Sequence, residues 1–513
     1  MHRLHLPGSK NTSAPAFTEP GAAEAWLAGL APKSAGEAQA AILEQIEALD
    51  GSDLEPPQMI TLLNLLRSAA VPRQAIAEVS FTRKPLPMAP DEERAFEVAQ
   101  QLWTRLGIAY LRLTPQCTPA NRCLPLHRAV TAFRVADRCH FLAARTCPKL
   151  LDTLYLSVFS AAEANGILRR PLLDSDYPQH GKGTISGQLA WAFLVRATDP
   201  YHLSAIQLQV VNRAFSRWRE LLTFETPTGV RKHAYHLDIA KLLGEELPAE
   251  IPHFLDMRVV VHKLAQRIKK LEDGESPEAL KLGRFLSAAA ATRLLKDIEK
   301  HLHPRRSGES SASGELDVVF GGEDAYGLLN NKTLNSLETE GAADRSLSYQ
   351  RMAQFGFDRV SQMPTAVTKK LGIPSERWRL ADGIATRAPG TSESRLLAPS
   401  LIAARIADGK PTLGVLASLR ADHDGRLAAR LRWQNGTVEA GTLKRLAPRG
   451  NKLVRVPAFL IQEEGEYSLI VPADAGIRLG VVVELTGTSI NELVPTEILE
   501  RGTDFVHYAG KPK

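Results

Sequence analysis

An abrupt change of pattern near residue 303 divides the 513-residue sequence into two parts with different folding tendencies. From Ala22 to about His303, apolar residues recur at the spacing of amphipathic helices, as in the segment AGEAQAAILEQIEAL. After the Ser/Gly-rich segment SGESSASGE, short apolar or alternating runs are separated by turn residues, which is typical of antiparallel strands. We therefore predict an α+β multidomain chain, an α-helical bundle or solenoid followed by one or two small antiparallel β-barrels.

The same changes of composition set the predicted domain boundaries. We expect a disordered tail over residues 1–18 and an α-helical domain over 19–303. A linker with a first strand and a mobile loop then covers 304–376. A β-barrel follows over 377–448, and a second small barrel or barrel extension over 449–513.

Local signals mark individual elements within these domains. Ser276 as N-cap and Pro277 at the first helical position predict a helix that runs to about residue 302. Helices are also expected at about residues 121–146, 232–243 and 254–272. In the C-terminal part, three pairs of turn residues predict β-hairpins: Asp408-Gly409, Asp424-Gly425 and Asn435-Gly436.

Composition and missing motifs exclude several classes of protein. The 63 basic and 57 acidic residues leave a modest net charge of +6, without the dense basic blocks that nucleic-acid binding requires. The N-terminus lacks the apolar run of a signal peptide, and no segment is apolar over the roughly 18 residues that span a bilayer, so we expect a cytoplasmic protein. The motifs of hydrolases, zinc proteases and phosphate-binding loops are missing, which predicts that the chain is not an enzyme.

Two clusters of ligand-type residues leave alternatives open. The four cysteines (Cys117, Cys123, Cys139 and Cys147) fall in one window, but no pair has the C-x-x-C spacing. They are either buried as small hydrophobic residues or take part in zinc or redox chemistry. His233, His236 and Asp238 lie close in sequence and either share a metal or are exposed on a helix.

One predicted helix is rich in arginine. The segment from Arg122 to Arg145 contains a series of basic residues opposed within it only by Asp137; the series is Arg128, Arg134, Arg138 and Arg145. This helix is either a docking surface for an acidic partner protein or a bundle helix whose arginine stems cover apolar surface.

The C-terminal pattern is similar to that of a known family. An arginine pair precedes the first strand, and a strand meander contains LGVLASL and LRWQNGTVEAGTLKRLAP. Over about residues 303–510 the chain resembles the PilZ-related proteins of proteobacteria, which are barrels that bind the second messenger cyclic di-GMP. The helical half resembles that of long multidomain members of the same group.

The resemblance implies a set of ligand-binding residues. The family binds through R-x-x-x-R before the first strand and through a second motif with Asp or Asn, then Ser, then Gly. Arg305 and Arg306 match the start of the first motif, but Glu309 or Ser310 occupies the position of its second arginine. The second motif maps to Asp382, with Ile384 and Arg387 in place of Ser and Gly. The implied site is thus Arg305, Arg306, Asp382 and Arg387.

Two functional hypotheses follow. In the first, the protein is a signalling or adaptor protein, a PilZ-like cyclic di-GMP effector with degenerate motifs, in which the ligand orders the linker and the effect is passed on by protein contacts. In the second, ligand binding has been lost, Arg305 and Arg306 only stabilise a helix end, and the helical array is a scaffold for a partner protein.

Overall fold

The structure, a computed structural model, describes residues 6, 14–226, 235–247, 251–303, 313–334, 374–406, 409–446 and 453–513. The chain divides into two compact units, Met1–Gly308 and Glu309–Lys513. Arg305, Arg306, His233 and Asp408, together with most of the predicted linker and mobile loop, lie outside the described residues.

The first unit is largely helical. Its helices are Pro20–Ala28 (α1), Ala35–Asp50 (α2), Pro56–Glu78 (α3), Pro90–Leu113 (α4), Cys123–Leu142 (α5), Lys149–Ala164 (α6), Ile185–Ala197 (α7), Ala205–Trp218 (α8), Ile239–Leu243 (α9), Arg258–Glu272 (α10) and Ala288–Leu302 (α11). Local chemistry explains where several of them begin. Ser34 and Ser204 close capping boxes on α2 and α8, and prolines occupy the first turn of α1, α3 and α4.

A continuous apolar core joins these helices. Its centre is the close crossing of α4 and α5, where Gly107 lies against the ring of Phe133. A Cβ atom at position 107 would lie 2.3 Å from Phe133 Cε1, so only glycine allows the two helices this approach. The core also reaches into the predicted disordered tail, because Phe17 is buried and its ring packs 5.4 Å from that of Trp26.

The first unit also contains strands that the helical pattern did not predict. Leu172–Leu173 (β1) pairs with Lys182–Gly183 (β2), and Thr223–Glu225 (β3), His236–Asp238 (β4) and Phe254–Asp256 (β5) form a sheet in the order β3-β5-β4. The predicted helices at 232–243 and 254–272 therefore begin as strands in their described parts.

The prediction of a helix from Ser276 is wrong. Ser276 does cap a turn, since its hydroxyl accepts from the amide of Ala279 at 3.1 Å. The chain then takes left-handed conformations at Lys281 (φ 62°) and Gly283 (φ 102°), which a helix cannot continue through. The helix α11 begins only after Ser287, whose hydroxyl accepts from the amide of Ala290.

In its described residues, the second unit contains two closed six-stranded antiparallel barrels and one helix, which confirms the predicted α+β multidomain fold. The barrels have the strand orders β10-β11-β8-β7-β6-β9 and β12-β13-β14-β17-β16-β15. Their strands are Gly314–Phe320 (β6), Glu376–Ala381 (β7), Ile384–Arg387 (β8), Ser400–Ile406 (β9), Thr412–Ala421 (β10), Leu427–Trp433 (β11), Thr437–Leu446 (β12), Leu453–Glu463 (β13), Glu466–Pro472 (β14), Val483–Thr486 (β15), Glu492–Arg501 (β16) and Phe505–Pro512 (β17).

The barrels share a core with the helix Gly322–Asn330 (α12). Ala325 and Tyr326 of this helix are buried with Phe459 and Phe505 of the second barrel and with residues of the first. The Asp504 carboxylate, at the β16–β17 turn, accepts from the amide of Leu401 of β9 at 2.9 Å. The two barrels therefore pack against each other through apolar and polar contacts.

The hairpin predictions have different outcomes. At Asp424-Gly425 the strands β10 and β11 pair as expected, and Gly425 takes the required positive φ of 81°. At Asn435-Gly436 the hairpin prediction is wrong, because β11 lies in the first barrel whereas β12 pairs with β13 and β15 of the second. Gly436 has a φ of 80°, but the chain turns there from one barrel into the other.

Among the described helices, none has the length and apolar character of a membrane span.

Candidate functional site

Two of the residues implied by the family resemblance lie in the first barrel, at opposite ends of β8. Asp382 occupies the exposed turn between β7 and β8 and has a φ of 51°. Arg387, at the other end of the strand, is only 2% exposed. Its Nη1 lies 2.9 Å from a carboxylate oxygen of Glu376 and 3.0 Å from the hydroxyl of Ser394. The structure does not bring Asp382 and Arg387 together.

The Arg387 side chain belongs to a compact polar network. Its Nη2 also donates to the carbonyl of Ser394 at 3.1 Å, and its guanidinium carbon lies 5.8 Å from the centroid of the Trp378 ring. The hydroxyls of Ser392 and Ser394 donate to Glu376, and together with Arg387 they lower the pKa of that carboxyl, although burial alone would raise it. A ligand at Arg387 would have to compete with these contacts.

Three of the four arginines of the arginine-rich segment are paired inside the first unit; Arg128, Arg134 and Arg138 lie on α5, and Arg145 follows its end at Leu142. Arg128 pairs with Asp174, which also receives Arg67; Arg138 pairs with Glu78 at 2.8 Å, and Arg145 pairs with Glu93. The docking surface for an acidic partner protein stays a prediction, and these three arginines have partners within the fold. The partners lie on other elements of the same unit, so most of the positive charge is neutralised internally.

The remaining arginine of this helix, Arg134, is held by an aromatic ring. Its guanidinium carbon lies 3.1 Å from the centroid of the Trp191 ring, and its Nη1 donates to the amide oxygen of Gln188 at 2.6 Å. Within the described residues no carboxylate makes an ion pair with Arg134. Asp137 is nearby, but both of its carboxylate oxygens accept hydrogen bonds from Arg196.

The surroundings of Arg134 leave its charge poorly compensated. Burial is the main factor that lowers the pKa of Arg134 to about 9, and the positive charge of Arg219 lowers it further. The Arg219 guanidinium carbon lies 5.7 Å from the same Trp191 ring. Two cationic groups thus lie next to one indole; Arg219 is paired with Glu220 at 3.1 Å, whereas Arg134 makes no ion pair with a described carboxylate.

A pocket opens beside Arg134 between α5, α7 and α8. Its polar wall is formed by Arg134, Asp137, Arg138 and Asn212, and the Asp137 carboxylate is paired with Arg196. Asn212 is oriented by the indole N–H of Trp191, which donates to its amide oxygen at 2.9 Å. The pocket volume is about 20 Å³, enough for one water molecule or one ligand oxygen. Most of a larger ligand would therefore lie over its mouth.

Comparison with known families points to the same part of the chain. Residues 21–228 match the family model described as the N-terminal domain of the cyclic-di-GMP receptor FimW. The match covers less than half of the chain, and we call this stretch the FimW-like segment. No curated protein and no solved structure matches the chain.

The FimW-like segment contains the whole pocket. Arg134, Arg138, Trp191 and Asn212 all lie within residues 21–228. By contrast, the residues implied by the PilZ resemblance (Arg305, Arg306, Asp382 and Arg387) all follow it in the sequence. The candidate site in the structure is therefore the Arg134 pocket. The sequence identified Arg134 and Arg138 only as part of a possible docking helix. The residues that contact them and make their environments different lie 50 to 80 positions away in the chain, so the local sequence does not show them.

The cysteines and the predicted histidine cluster lie elsewhere in the first unit. Cys117, Cys123 and Cys139 are buried, and burial raises the pKa of each of these thiols. In the part of the chain that the structure describes, no group with metal-binding geometry includes a cysteine. His236 makes a 3.0 Å contact between its Nε2 and a carboxylate oxygen of Glu225.

Proposed function

We propose that this protein is a cyclic-di-GMP receptor that acts by binding and protein contact rather than by catalysis. The observation that carries the proposal is the match of residues 21–228 to the N-terminal domain of a cyclic-di-GMP receptor. The two barrels that follow support it, since a pair of small antiparallel barrels is compatible with the PilZ-like character inferred from the sequence.

The chemistry of the Arg134 pocket suits such a ligand. Cyclic di-GMP carries two phosphates and two guanines, and a guanidinium group pairs with phosphate oxygens or with the O6 and N7 acceptors of guanine. Arg134 donates one hydrogen bond to Gln188. Arg134 lines the pocket, and none of its nitrogens is both buried and without a hydrogen-bond partner.

Arg138 adds a second cation at the mouth of the pocket. Its side chain is 38% exposed, and it makes one ion pair, with Glu78. We propose that one phosphate of cyclic di-GMP binds between Arg134 and Arg138, with an oxygen in the pocket and the rest of the ligand over the surface of α5 and α8. Arginine suits this role because its planar fork binds phosphate in a bidentate way.

The residues implied by the PilZ resemblance form a second candidate contact set. Arg305 and Arg306 lie outside the described residues and keep their proposed role as phosphate ligands. Asp382 is exposed and accessible. Arg387 is the weakest member of this set, because a ligand would have to break its buried ion pair with Glu376.

Isothermal titration of cyclic di-GMP into the full chain tests the proposed function. We expect saturable binding, with much weaker binding of GMP, which has one phosphate and one guanine. The same titration of Arg305→Ala/Arg306→Ala assigns the site: unchanged affinity favours the Arg134 pocket, and lost binding favours the arginine pair. An absence of binding to the wild-type chain would refute the proposal.

A further inference from the structure

A cluster of metal-ligand side chains lies away from the Arg134 pocket, where the 3₁₀ turn Pro200–His202 meets α11. Asp199 and His202 belong to the turn region, and His301 lies near the end of α11. One ligand atom from each of these three side chains lies within 4.8 Å of the other two. All three side chains are partly exposed, so the cluster is accessible from solvent.

A fourth carboxylate adjoins the cluster. An Asp297 oxygen lies 2.6 Å from His202 Nε2, and its other oxygen lies 3.7 Å from His301 Nδ1. The two imidazole rings are stacked, with 4.5 Å between their centroids and 15° between their planes. Asp199, His202 and His301 therefore offer a nitrogen and oxygen donor set that suits a divalent transition metal, and Asp297 contacts the two histidines beside it.

Backbone carbonyls orient both imidazoles. His301 Nδ1 lies 2.9 Å from the carbonyl oxygen of Asp297, and His202 Nδ1 lies 2.5 Å from that of Asp199. A carbonyl oxygen can only accept, so each Nδ1 carries a proton and donates it. This is the arrangement found behind metal-bound histidines, where a backbone carbonyl fixes the tautomer that leaves Nε2 free to bind the metal.

His202 faces acceptors on both sides. Its Nδ1 proton goes to the Asp199 carbonyl, whereas its Nε2 faces a carboxylate oxygen of Asp297. A metal ion bound to Nε2 of His202 would take the place of this contact with Asp297. His301 Nε2 makes no hydrogen bond to any described residue.

The turn is fixed in advance of any metal. Asp199 takes a left-handed conformation, with a φ of 51° and a ψ of 71°, which costs a non-glycine residue free energy. Arg83 holds the same turn, because its Nη2 donates to the carbonyls of Pro200 at 2.8 Å and Leu203 at 2.5 Å. Arg83 also lies close enough to Asp199 to interact with its charge, as Lys300 does with that of Asp297.

We propose that Asp199, His202 and His301 bind a divalent transition metal, with Zn²⁺ as the first candidate and Asp297 as the adjacent fourth carboxylate. The site would join residues about 100 positions apart in sequence and fix the end of α11 against the turn. It would act as a structural clamp four residues before Arg305. This proposal is independent of cyclic-di-GMP binding.

Metal titration of the tag-free, chelator-treated full chain tests the proposal. We expect one equivalent of Co²⁺ to give visible d–d absorption without the strong near-ultraviolet band of a Co²⁺–thiolate. The missing band would distinguish binding at the histidines and aspartates from binding at the cysteines. Competition with a chromophoric chelator then gives the Zn²⁺ affinity. We expect His202→Gln and His301→Gln to lose more affinity than the roughly 10–100-fold that loss of an outer partner costs.

The chain offers matched controls for this experiment. His262 is an exposed histidine on α10, so His262→Gln should bind Zn²⁺ as the wild type does. Asp199→Asn keeps a residue type that tolerates the left-handed conformation while removing the charged ligand, so it should fold and still bind Zn²⁺ more weakly. No stoichiometric binding to the wild type, or equal affinity in the wild type and Asp199→Asn, would overturn the proposal.

Discussion

Arg134 stacks its guanidinium on the indole of Trp191, with 3.1 Å between the guanidinium carbon and the ring centroid, and makes no ion pair with a described carboxylate. Arg128 and Arg138 of the same helix, and Arg145 just after it, each make one. Contact with an aromatic face stabilises a cation without neutralising it. The charge of Arg134 is thus available to an anionic ligand, whereas Arg128 and Arg145 are neutralised inside the fold, and Arg138 pairs with Glu78 but keeps a 38% exposed side chain.

The Arg67–Asp174 pair should be a major determinant of stability in the helical unit. Arg67 is fully buried and binds both carboxylate oxygens of Asp174, at 3.0 and 2.6 Å, while Arg128 binds the same carboxylate. Asp174→Ala leaves two buried guanidinium groups with less compensation, so we expect it to destabilise the unit by about 3–5 kcal/mol.

Urea unfolding followed by far-ultraviolet circular dichroism measures this change. The control is Asp53→Ala, which removes an exposed carboxylate and should change the free energy of unfolding by less than about 0.5 kcal/mol. Equal effects of the two substitutions would contradict the structural role of Asp174.

Two glycine substitutions should change stability in opposite directions. Gly107→Ala puts a Cβ atom 2.3 Å from the Phe133 ring, so we expect a loss of about 1–3 kcal/mol from overpacking at the α4–α5 crossing. Gly36→Ala, in the first turn of α2, meets no atom within 4 Å and should instead stabilise the protein by about 0.4–1 kcal/mol. Thermal unfolding of both variants checks the signs, and a stabilising Gly107→Ala would show that the helices cross less closely.

The barrel pair should lose stability as the pH rises from about 4 to about 6. Burial raises the pKa of Asp504 from its usual 3.8 to about 6, although the amide of Leu401 opposes the shift. Below pH 4 the carboxyl is protonated in the folded and unfolded chains alike, so it costs nothing. Above pH 6 it is ionised in both, and the folded protein carries the cost of a partly buried charge, about 1–3 kcal/mol.

Asp504→Asn isolates this contribution. The amide oxygen still accepts from Leu401 but does not titrate, so the stability of the variant relative to the wild type should increase between pH 4 and pH 7. Asp424→Asn, in an exposed hairpin turn, is the control and should show a constant difference. Thermal unfolding across this pH range gives both curves, and a pH-independent difference for Asp504→Asn would exclude the assigned pKa shift.

The sequence predicted the fold well where the signal is local. Helical periodicity and the Asp424-Gly425 turn depend on neighbouring residues, and the structure has the expected elements there, such as α2 and the β10–β11 hairpin. The Asn435-Gly436 turn shows the limit. The residues Asn435-Gly436 correctly indicate that the chain turns. They do not indicate which strand pairs with β12, because its partners β13 and β15 are set by closure of the second barrel.

The candidate site was predicted less well for a similar reason. The sequence shows four arginines along one predicted helix, and their spacing does not reveal which of them form ion pairs. Asp174, Glu78 and Glu93 pair with three of them over 46 to 60 positions, and Trp191 holds the fourth. Only the tertiary structure shows that Arg134, unlike the other three arginines, makes no ion pair with a described carboxylate.

The measurement that tests the central claim most directly is a side-by-side titration of cyclic di-GMP into the wild type, Arg134→Gln and Arg217→Gln. Arg217 is an exposed arginine on the neighbouring helix α8 and serves as the matched control. A hydrogen bond to a charged group contributes about 1.5–3 kcal/mol, so Arg134→Gln should weaken binding by about 10–150-fold and Arg217→Gln should not. Saturable wild-type binding that Arg134→Gln leaves unchanged would contradict the site, and no binding to any of the three proteins would contradict the receptor function itself.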